Sequence, residues 1–493
     1  MIYNFNLGIG WASSGVEYAQ IYRARMFRNI GVDAKFVFTD MFPSENMEHM
    51  TKNIGFLDSE VIWLYTFFTD FKTAPVTYTL SDLEKTFTDL NYTKTREGKI
   101  CRYVFGGSNN FYTAYMVNDH DDFVHRVELV SNGFLIRKDY FTYGRVYSEY
   151  YAPLDNAAHL YHRRFFNENG SVAYEEIIDD DRVMYKFKDK ILCSKEEFVG
   201  YMVSQLHLTK DDVVLIDRST DIGQSILMNC KPARVGTVVH ADHFSEKDTN
   251  NDYILWNNFY EYEFNMHKHI DFYICSTQAQ SDLMVQQFEK YYGVTPCVYT
   301  IPVGSLPELK YPKENRKPFS LITASRLASE KHVDWICKAV IQARSEVPEL
   351  SLDIYGEGGE KSKLETIIRD NNASDYIHLM GQHDLSEVYQ KYEAYIAGST
   401  SEGFGLTLME AVGGGLPIIG FDVRYGNPTF IRNGENGYLL DLPEEDKERI
   451  EALRKGIVDL FKQDLEKCHS VSYEVAKDFL TCNVQEKWRE AVC

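Results

Sequence analysis

Long apolar runs are missing from this chain. Nowhere among the 493 residues do about 18 apolar residues follow one another, so no membrane-crossing helix is expected. The opening MIYNFNLGIGW has no basic stretch leading into a long apolar one, which speaks against a secretory signal peptide. Positive charge is scarce too. With 52 Lys and Arg against 73 Asp and Glu, the net charge is −21. An excess of that sign opposes binding to a nucleic-acid backbone or general adhesion to anionic lipid, and no basic cluster offsets it. The nine cysteines (Cys101, Cys193, Cys230, Cys275, Cys297, Cys337, Cys468, Cys482, Cys493) are scattered and odd in number, without CxxC or zinc-type spacing. Free thiols in a reducing, cytosolic compartment are therefore expected. No DxD motif stands where a metal-dependent sugar transferase would want one; Asp179–Asp181 reads as a solvated turn.

What is present is a soluble-type composition with 44% hydrophobic residues and an unusual aromatic load, 34 Tyr and 30 Phe. The length calls for two or three domains. Ile2–Leu7 reads as a strand, followed by a loop with Gly8, Gly10 and Gly15 and then a helix. Strand, glycine loop and helix open a nucleotide-type βαβ unit, although the spacing is not GxGxxG. VDAKFVFTDMF supplies the next strand.

Between about Ser44 and Glu196 the rhythm changes. KICRYVF, FYTAYMV, FVHRVELV, GFLIRKDYF, HLYHRRFF and RVMYKFK alternate with period two between Asn/Gly/Asp turns, the pattern of an antiparallel meander. A meander of this length reads as an inserted β domain, rich in Tyr and Arg and suited either to a structural role or to a protein partner.

The βα rhythm returns at DDVVLIDRS, RVGTVVHADHFS, IDFYICSTQ and CVYTIPVG. His240 and His243 emerge at the carboxyl end of a Val-rich strand, where open α/β sheets bind ligands. A metal pair would lack a third ligand nearby, so none is assigned. After the Pro/Lys-rich stretch near residue 310, a second βα series begins. FSLITASRLASEKHVDWICKAV puts Arg326 and Lys331 five apart on a strand-to-helix loop, where they can clamp a diphosphate, one bidentately and one as a point charge. LSLDIYGEGGE brings Gly356 and Gly358 to the next loop. DYIHLMGQHDLSEVYQKYEAYIA reads as a strand and a helix, with His383 in the loop between them.

The densest stretch is STSEGFGLTLMEAVGGG, Ser399–Gly415. Glu402 and Glu410 flank Gly403-Phe404-Gly405-Leu406, a turn running into a helix. Glycine permits close ligand approach, and a helix start offers free N–H groups and a positive dipole end to a phosphate. Glu402 is expected at a sugar, and Glu410, two turns into the helix, at a ribose.

S-E-G-F-G-L-x-x-x-E-A-x-x-x-G-x-P, with R-L-x-x-x-K some 70 residues earlier, resembles the donor motif of family-4 retaining glycosyltransferases. That resemblance implies a GT-B fold: α/β, two facing Rossmann-like domains with the donor between them and an inserted antiparallel β-meander domain. N-x-G-I-G-W-A-S-S-G-V-E-Y-A-Q, the β insertion, V-V-H-A-x-H and D-Y-I-L-W-N-N are similar to the bacterial GtfA/GtfC-type protein O-glycosyltransferases. The implied domains are a Rossmann-like acceptor-side lobe (1–43 and 197–305), the insertion (44–196), a nucleotide-sugar lobe (306–475) and a C-terminal helix (476–493). The implied reaction moves N-acetylglucosamine from its UDP derivative to Ser/Thr hydroxyls of a serine-rich repeat adhesin. UDP-glucose as donor, a polysaccharide acceptor and a non-catalytic subunit stay open. Arg326, Lys331, Glu402 and His240 would be catalytic. Gly10, Gly15, Gly356, Gly358, His383, Gly403, Phe404, Gly405, Leu406 and Glu410 would bind the donor. The resemblance further implies no cofactor and no metal, and a GtfB-like partner or a homo-oligomer formed through the insertion. It also implies no nucleic acid, and leaves room for peripheral attachment at the inner membrane face.

Overall fold

The computed structural model describes residues 1–9, 15–43, 45–88, 91–106 and 109–493. They fall into two compact units. The first contains residues 1–24, 32–237 and 258–271; the second contains 25–31, 238–257 and 272–493.

In the first unit, four buried strands run parallel in the order Arg234–Val239, Val213–Ile216, Ile2–Asn6, Ala34–Phe38, with Val61–Trp63 beyond them. Val213–Ile216 is apolar on both sides, as a sheet covered on both faces requires, whereas Ile2–Asn6 buries Asn4 and Asn6, which hydrogen-bond to Arg23 and Gln20. Val61–Trp63 lies within the 44–196 span expected for the insertion, yet it pairs in parallel with Ala34–Phe38. The antiparallel sheet occupies Tyr92–Leu192 and has ten strands. Four of these did not stand out in the sequence: Tyr92–Glu97, Arg145–Leu154, Val172–Asp179 and Ile191–Leu192. Tyr92–Glu97 is a nearly fully exposed edge with no apolar alternation. Arg145–Leu154 hides its pattern because Glu149 points inward, where it is satisfied by Arg163 at 3.0 Å, Tyr140 at 2.8 Å and Tyr151 at 2.6 Å.

The aromatic load is spent in this sheet. Across neighbouring strands Tyr140, Tyr147, Phe165 and Tyr174 form one row. Consecutive rings of that row are stacked at 4.3, 5.5 and 4.5 Å. The row continues into Phe198 of the helix Lys195–Gln205, which Ser194 caps by accepting from Glu197 N. Each such ring pair adds about 0.5–1.5 kcal/mol beyond burial. Cys101, Ala114 and Val127 stand in register on the opposite face and pack with Leu80 and Leu83. The sheet thus buries one face at one end and the other face at the other, which a single amphipathic pattern would not foretell.

The second unit is built on a six-stranded, all-parallel sheet in the order Ile377–Gly381, Ser351–Tyr355, Ser320–Ala324, Ala394–Ile396, Ile418–Phe421, Gly437–Leu440. It contains two apolar clusters, one around Trp335, Ile354 and Leu453, the other around Leu408, Met409 and Phe430. One expected helix is absent. After Ile377–Gly381 the chain makes only a 3-10 turn, Tyr389–Lys391, before the next strand. Tyr389 and Tyr392 are drawn inward there to donate to Glu410 and Asp353.

Candidate active site

Three loops at the carboxyl ends of the parallel strands in the second unit carry most of the candidate residues. The first leaves strand Ser320–Ala324 with Arg326 and passes Lys331 in a 3-10 turn. It enters helix Val333–Ala343 through His332, held left-handed at φ 44° with its ring stacked on Trp335 at 3.5 Å. The second leaves strand Ser351–Tyr355 with Gly356 and Gly358. These two loops are stitched together: Ser325 N donates to Tyr355 O (3.1 Å) and Leu327 N to Glu357 O (3.0 Å). A Cβ on Gly356 would lie 1.9 Å from Ser325 O, and one on Gly358 2.4 Å from Leu327 O. Both glycines are thus required by the close passage of the Arg326 loop.

The third loop carries Glu402. Lys331 Nζ donates to Glu402 Oε2 at 2.6 Å, each side chain about one-fifth exposed (18% and 20%). Glu402 is held from behind, since its carbonyl accepts from Tyr425 N (2.6 Å) and Gly426 N (2.7 Å). Gly405, at φ 88°, caps helix Leu406–Gly413, and a Cβ there would meet Leu408 Cδ1 at 2.6 Å. Gly403 has no such constraint, for its nearest neighbour would be His240 O at 3.7 Å. Glu410 is the fifth residue of this helix, so one turn rather than two separates it from the loop. Its carboxylate accepts from the Tyr389 hydroxyl at 2.9 Å, and burial raises its pKa. Tyr395 ties the helix head to the first loop by donating to Ala324 O (2.9 Å) while meeting Thr407 Oγ1 (3.0 Å).

The remaining candidates divide. Arg326 is largely exposed (81%) and makes a 3.5 Å contact with Glu330. The Phe404 ring is core, edge-on to Phe430 at 5.3 Å and Phe479 at 6.0 Å. Leu406 is a partly buried member of the same cluster. His383 sits in the loop after Ile377–Gly381, its Nε2 2.8 Å from Met380 O and its ring edge-on to Tyr355 at 5.9 Å. Gly15 opens helix Gly15–Ile30 in the first unit with open space where a Cβ would be. Gly10 lies outside the described residues.

His240 follows the strand Arg234–Val239 directly. The segment it begins is anchored on several sides: Gln280 Nε2 donates to Ala241 O (2.8 Å) and Asn257 Nδ2 to Asp242 O (2.9 Å). His243 is fully buried, with Nε2 2.7 Å from Gln287 Oε1, so the second histidine of the pair is a packing residue. Among the described residues no group of three His, Cys, Asp or Glu is placed to hold a metal ion. Burial lowers His243 from 6.5 to about 4. A folded value below the unfolded one means that the stabilisation is complete above pH 6.5 and is lost as the pH falls toward 4. Unfolding followed by denaturant titration should show a loss of about 2 kcal/mol between pH 7 and pH 5 from this residue. A His243→Gln variant that folds should show a correspondingly flatter dependence.

Sequence reasoning missed Tyr389, Tyr395, Tyr425 and Gly426. Tyrosine in so tyrosine-rich a chain gives no local signal. Only the Y-G pair at the exit of a buried strand, in RYGNP, marked a tight turn.

Parallel-stranded sheets, an antiparallel insertion and an ion pair beside a helix that carries a second glutamate define a GT-B glycosyltransferase. Comparison with known proteins agrees with that class. Residues 308–478 match the glycosyl transferases group 1 model and residues 93–189 the GtfA extended beta-sheet domain model. A "UDP-N-acetylglucosamine--peptide N-acetylglucosaminyltransferase GtfA subunit" from Streptococcus agalactiae is 52% identical over 492 residues, covering 99% of this chain and 97% of that one. The crystal structure of the pneumococcal O-GlcNAc transferase GtfA in complex with UDP and GlcNAc is 49% identical, with a TM-score of 0.86, covering 100% of this chain and 98% of that one. A crystal structure of a GtfA/B complex is 52% identical, with a TM-score of 0.96, covering 100% and 99%. The chain belongs to the GtfA subunit family.

Proposed function

We propose that this protein transfers N-acetylglucosamine from UDP-N-acetylglucosamine to Ser/Thr hydroxyls of a peptide, with retention at the anomeric carbon. The observation that carries the reading is the 2.6 Å Lys331–Glu402 pair beside the helix that bears Glu410. Lys331 and Arg326 neutralise the departing diphosphate, charge stabilisation that needs no metal. Glu402 orients the sugar, Glu410 accepts from the ribose hydroxyls, and His240 contacts the sugar or its leaving phosphate. Gly356, Gly358 and Gly405 let the loops pass close to one another, Gly403 and the backbones of Phe404 and Leu406 leave room for the donor, and the His383 loop reads the base. The departing phosphate takes the proton of the acceptor hydroxyl, so no separate base is required. The relative crystallised with UDP and GlcNAc supports the donor, and the family itself supports a peptide acceptor.

The finer parts of the proposal are these. The acceptor is a serine-rich repeat adhesin, and a GtfB-like partner docks through the β insertion, a choice supported by the GtfA/B complex of a relative. The enzyme works in the cytoplasm or at the inner membrane face; no helix among the described residues is long and apolar enough to cross a membrane. The acceptor-side lobe comprises 1–43 and 197–305 together with Val61–Trp63. The insertion is the remainder of 44–196, the nucleotide-sugar lobe is 306–475, and 476–493 closes the chain.

The experiment is calorimetric titration with UDP, followed by UDP release from UDP-N-acetylglucosamine and from UDP-glucose, each with and without EDTA. Micromolar UDP binding, and turnover that favours the N-acetylated donor and is indifferent to EDTA, is expected. At a hundredfold excess over Kd, UDP should stabilise the fold by about 2.7 kcal/mol. Absence of UDP binding would overturn the reading in favour of a non-catalytic subunit.

A further inference from the structure

One dipeptide joins the Glu402 loop to the His240 segment. Arg424 O accepts from Glu402 N (3.2 Å), and Tyr425 N donates to Glu402 O (2.6 Å), a one-residue parallel bridge. On their other side the same two residues hold the segment that follows His240. The Tyr425 hydroxyl donates to Asp242 Oδ1 at 2.6 Å and lies 3.3 Å from His243 Nδ1. Arg424 donates to Glu246 Oε2 at 2.9 Å, with its guanidinium 5.0 Å from the Phe244 ring centre. Tyr425 is 2% exposed, wedged beside His243 with ring centres 6.1 Å apart. A Cβ on Gly426 would collide with Phe404 O at 2.3 Å, so the turn has little freedom to shift.

We propose that Tyr425 is a positioning residue for the transfer step: through Asp242 it sets His240 in register with Glu402, so that both meet one donor sugar. The inference rests on the transfer reading above. It deepens that reading by assigning the alignment of the two sugar contacts to a single phenol. The physical argument is one of tolerance. Catalytic groups misplaced by about 1 Å cost orders of magnitude in rate, whereas nucleotide affinity depends on groups Tyr425 does not touch, Arg326 and Glu410. Asp242 is also 42% exposed. If the hydroxyl is removed, water can solvate that carboxylate, and the fold is not left with a buried unpaired charge.

The test is steady-state kinetics of Tyr425→Phe, which keeps the ring and the backbone bridge, beside Asp242→Ala, which removes the acceptor, and the double variant, with UDP affinity measured on each. The expected result is a fall in kcat of about tenfold to a hundredfold for each single variant, with UDP affinity within twofold of wild type. The double variant should be no slower than the worse single one, because both remove the same hydrogen bond. Full kcat in Tyr425→Phe, or a loss of UDP affinity matching the loss of rate, would overturn the inference alone. Should Tyr425→Phe not fold, Asp242→Ala carries the same expectation and the same contrary outcomes. A wild-type chain that transfers no sugar would overturn the transfer reading and this inference with it, so the wild-type control tells the two failures apart.

Discussion

Lys331→Ala should reduce sugar transfer by about a thousandfold while leaving a folded protein, because in the proposed reaction it removes the cation that meets charge developing on the leaving diphosphate. Single groups aimed at developing charge contribute about 2.7–4 kcal/mol to the transition state. Lys331 is well placed to show that effect. Its backbone is fixed by the 3-10 turn, the left-handed His332 and the close passage of Gly398, where a Cβ would stand 3.1 Å from Lys331 O. Removing it leaves Glu402 without its 2.6 Å partner, but that carboxylate is one-fifth exposed and water can reach it. The cost in stability should therefore fall below the several kcal/mol of a fully buried broken pair. Lys331→Arg keeps the charge yet replaces a compact ammonium with a planar fork, so it should recover the modest loss of stability and little of the rate. A folded Lys331→Ala that transfers sugar at the wild-type rate would remove Lys331 from the site.

Glu402→Gln is the second large effect, with an expected loss in kcat of about a hundredfold or more and a small change in UDP affinity. The amide is nearly isosteric, so the backbone bridge to Tyr425 and the packing of the loop are kept. What goes is the anionic acceptor that fixes the Lys331 ammonium and, in the proposed reaction, the sugar hydroxyls. A charge-assisted hydrogen bond is roughly twice as strong as a neutral one, and here two roles depend on it. The contrast with Glu410 is informative. That carboxylate is partly buried and held by Tyr389, away from the reacting centre in this account, so Glu410→Gln should appear mainly in UDP affinity. If Glu402→Gln instead lost UDP binding and kept its kcat with saturating donor, the two glutamates would have to exchange roles.

Most parallel strands were legible because burial on two faces gives apolar runs, and LITAS, LDIYG and YIAGS each end at the loop that carries candidate residues; Ile2–Asn6 was legible by alternation instead, and the short Val61–Trp63 was not legible. Arg326, Lys331, Glu402 and Glu410 were singled out by the motifs they share with a known family; the fold brings Lys331 onto Glu402 and leaves Arg326 largely exposed. The meander was only half legible. A strand such as Arg145–Leu154 satisfies an inward Glu149 with Arg163 from a neighbour 14 residues on, and no local window contains that partner. Residues that orient the site share this difficulty. Tyr425 lies 183 positions from Asp242, and Tyr389 reaches Glu410 from a segment whose sequence suggested a helix. Gly356 and Gly358 stood out as glycines of a ligand loop, yet what constrains them in the fold is the neighbouring backbone at Ser325 and Leu327. Long-range side-chain contacts leave no periodicity, so they appear only once the chain is folded.

The most direct measurement is the intact mass of a Ser/Thr-rich acceptor fragment. It would be incubated with the protein and UDP-N-acetylglucosamine or UDP-glucose, with EDTA present, alone and with a partner subunit. The account predicts stepwise additions of N-acetylhexosamine, removable by base as expected for an O-linked sugar. It predicts far fewer additions from UDP-glucose and none with Lys331→Ala. An acceptor that stays unmodified under every condition, while UDP is still released to a polyol-phosphate or saccharide acceptor, would contradict it.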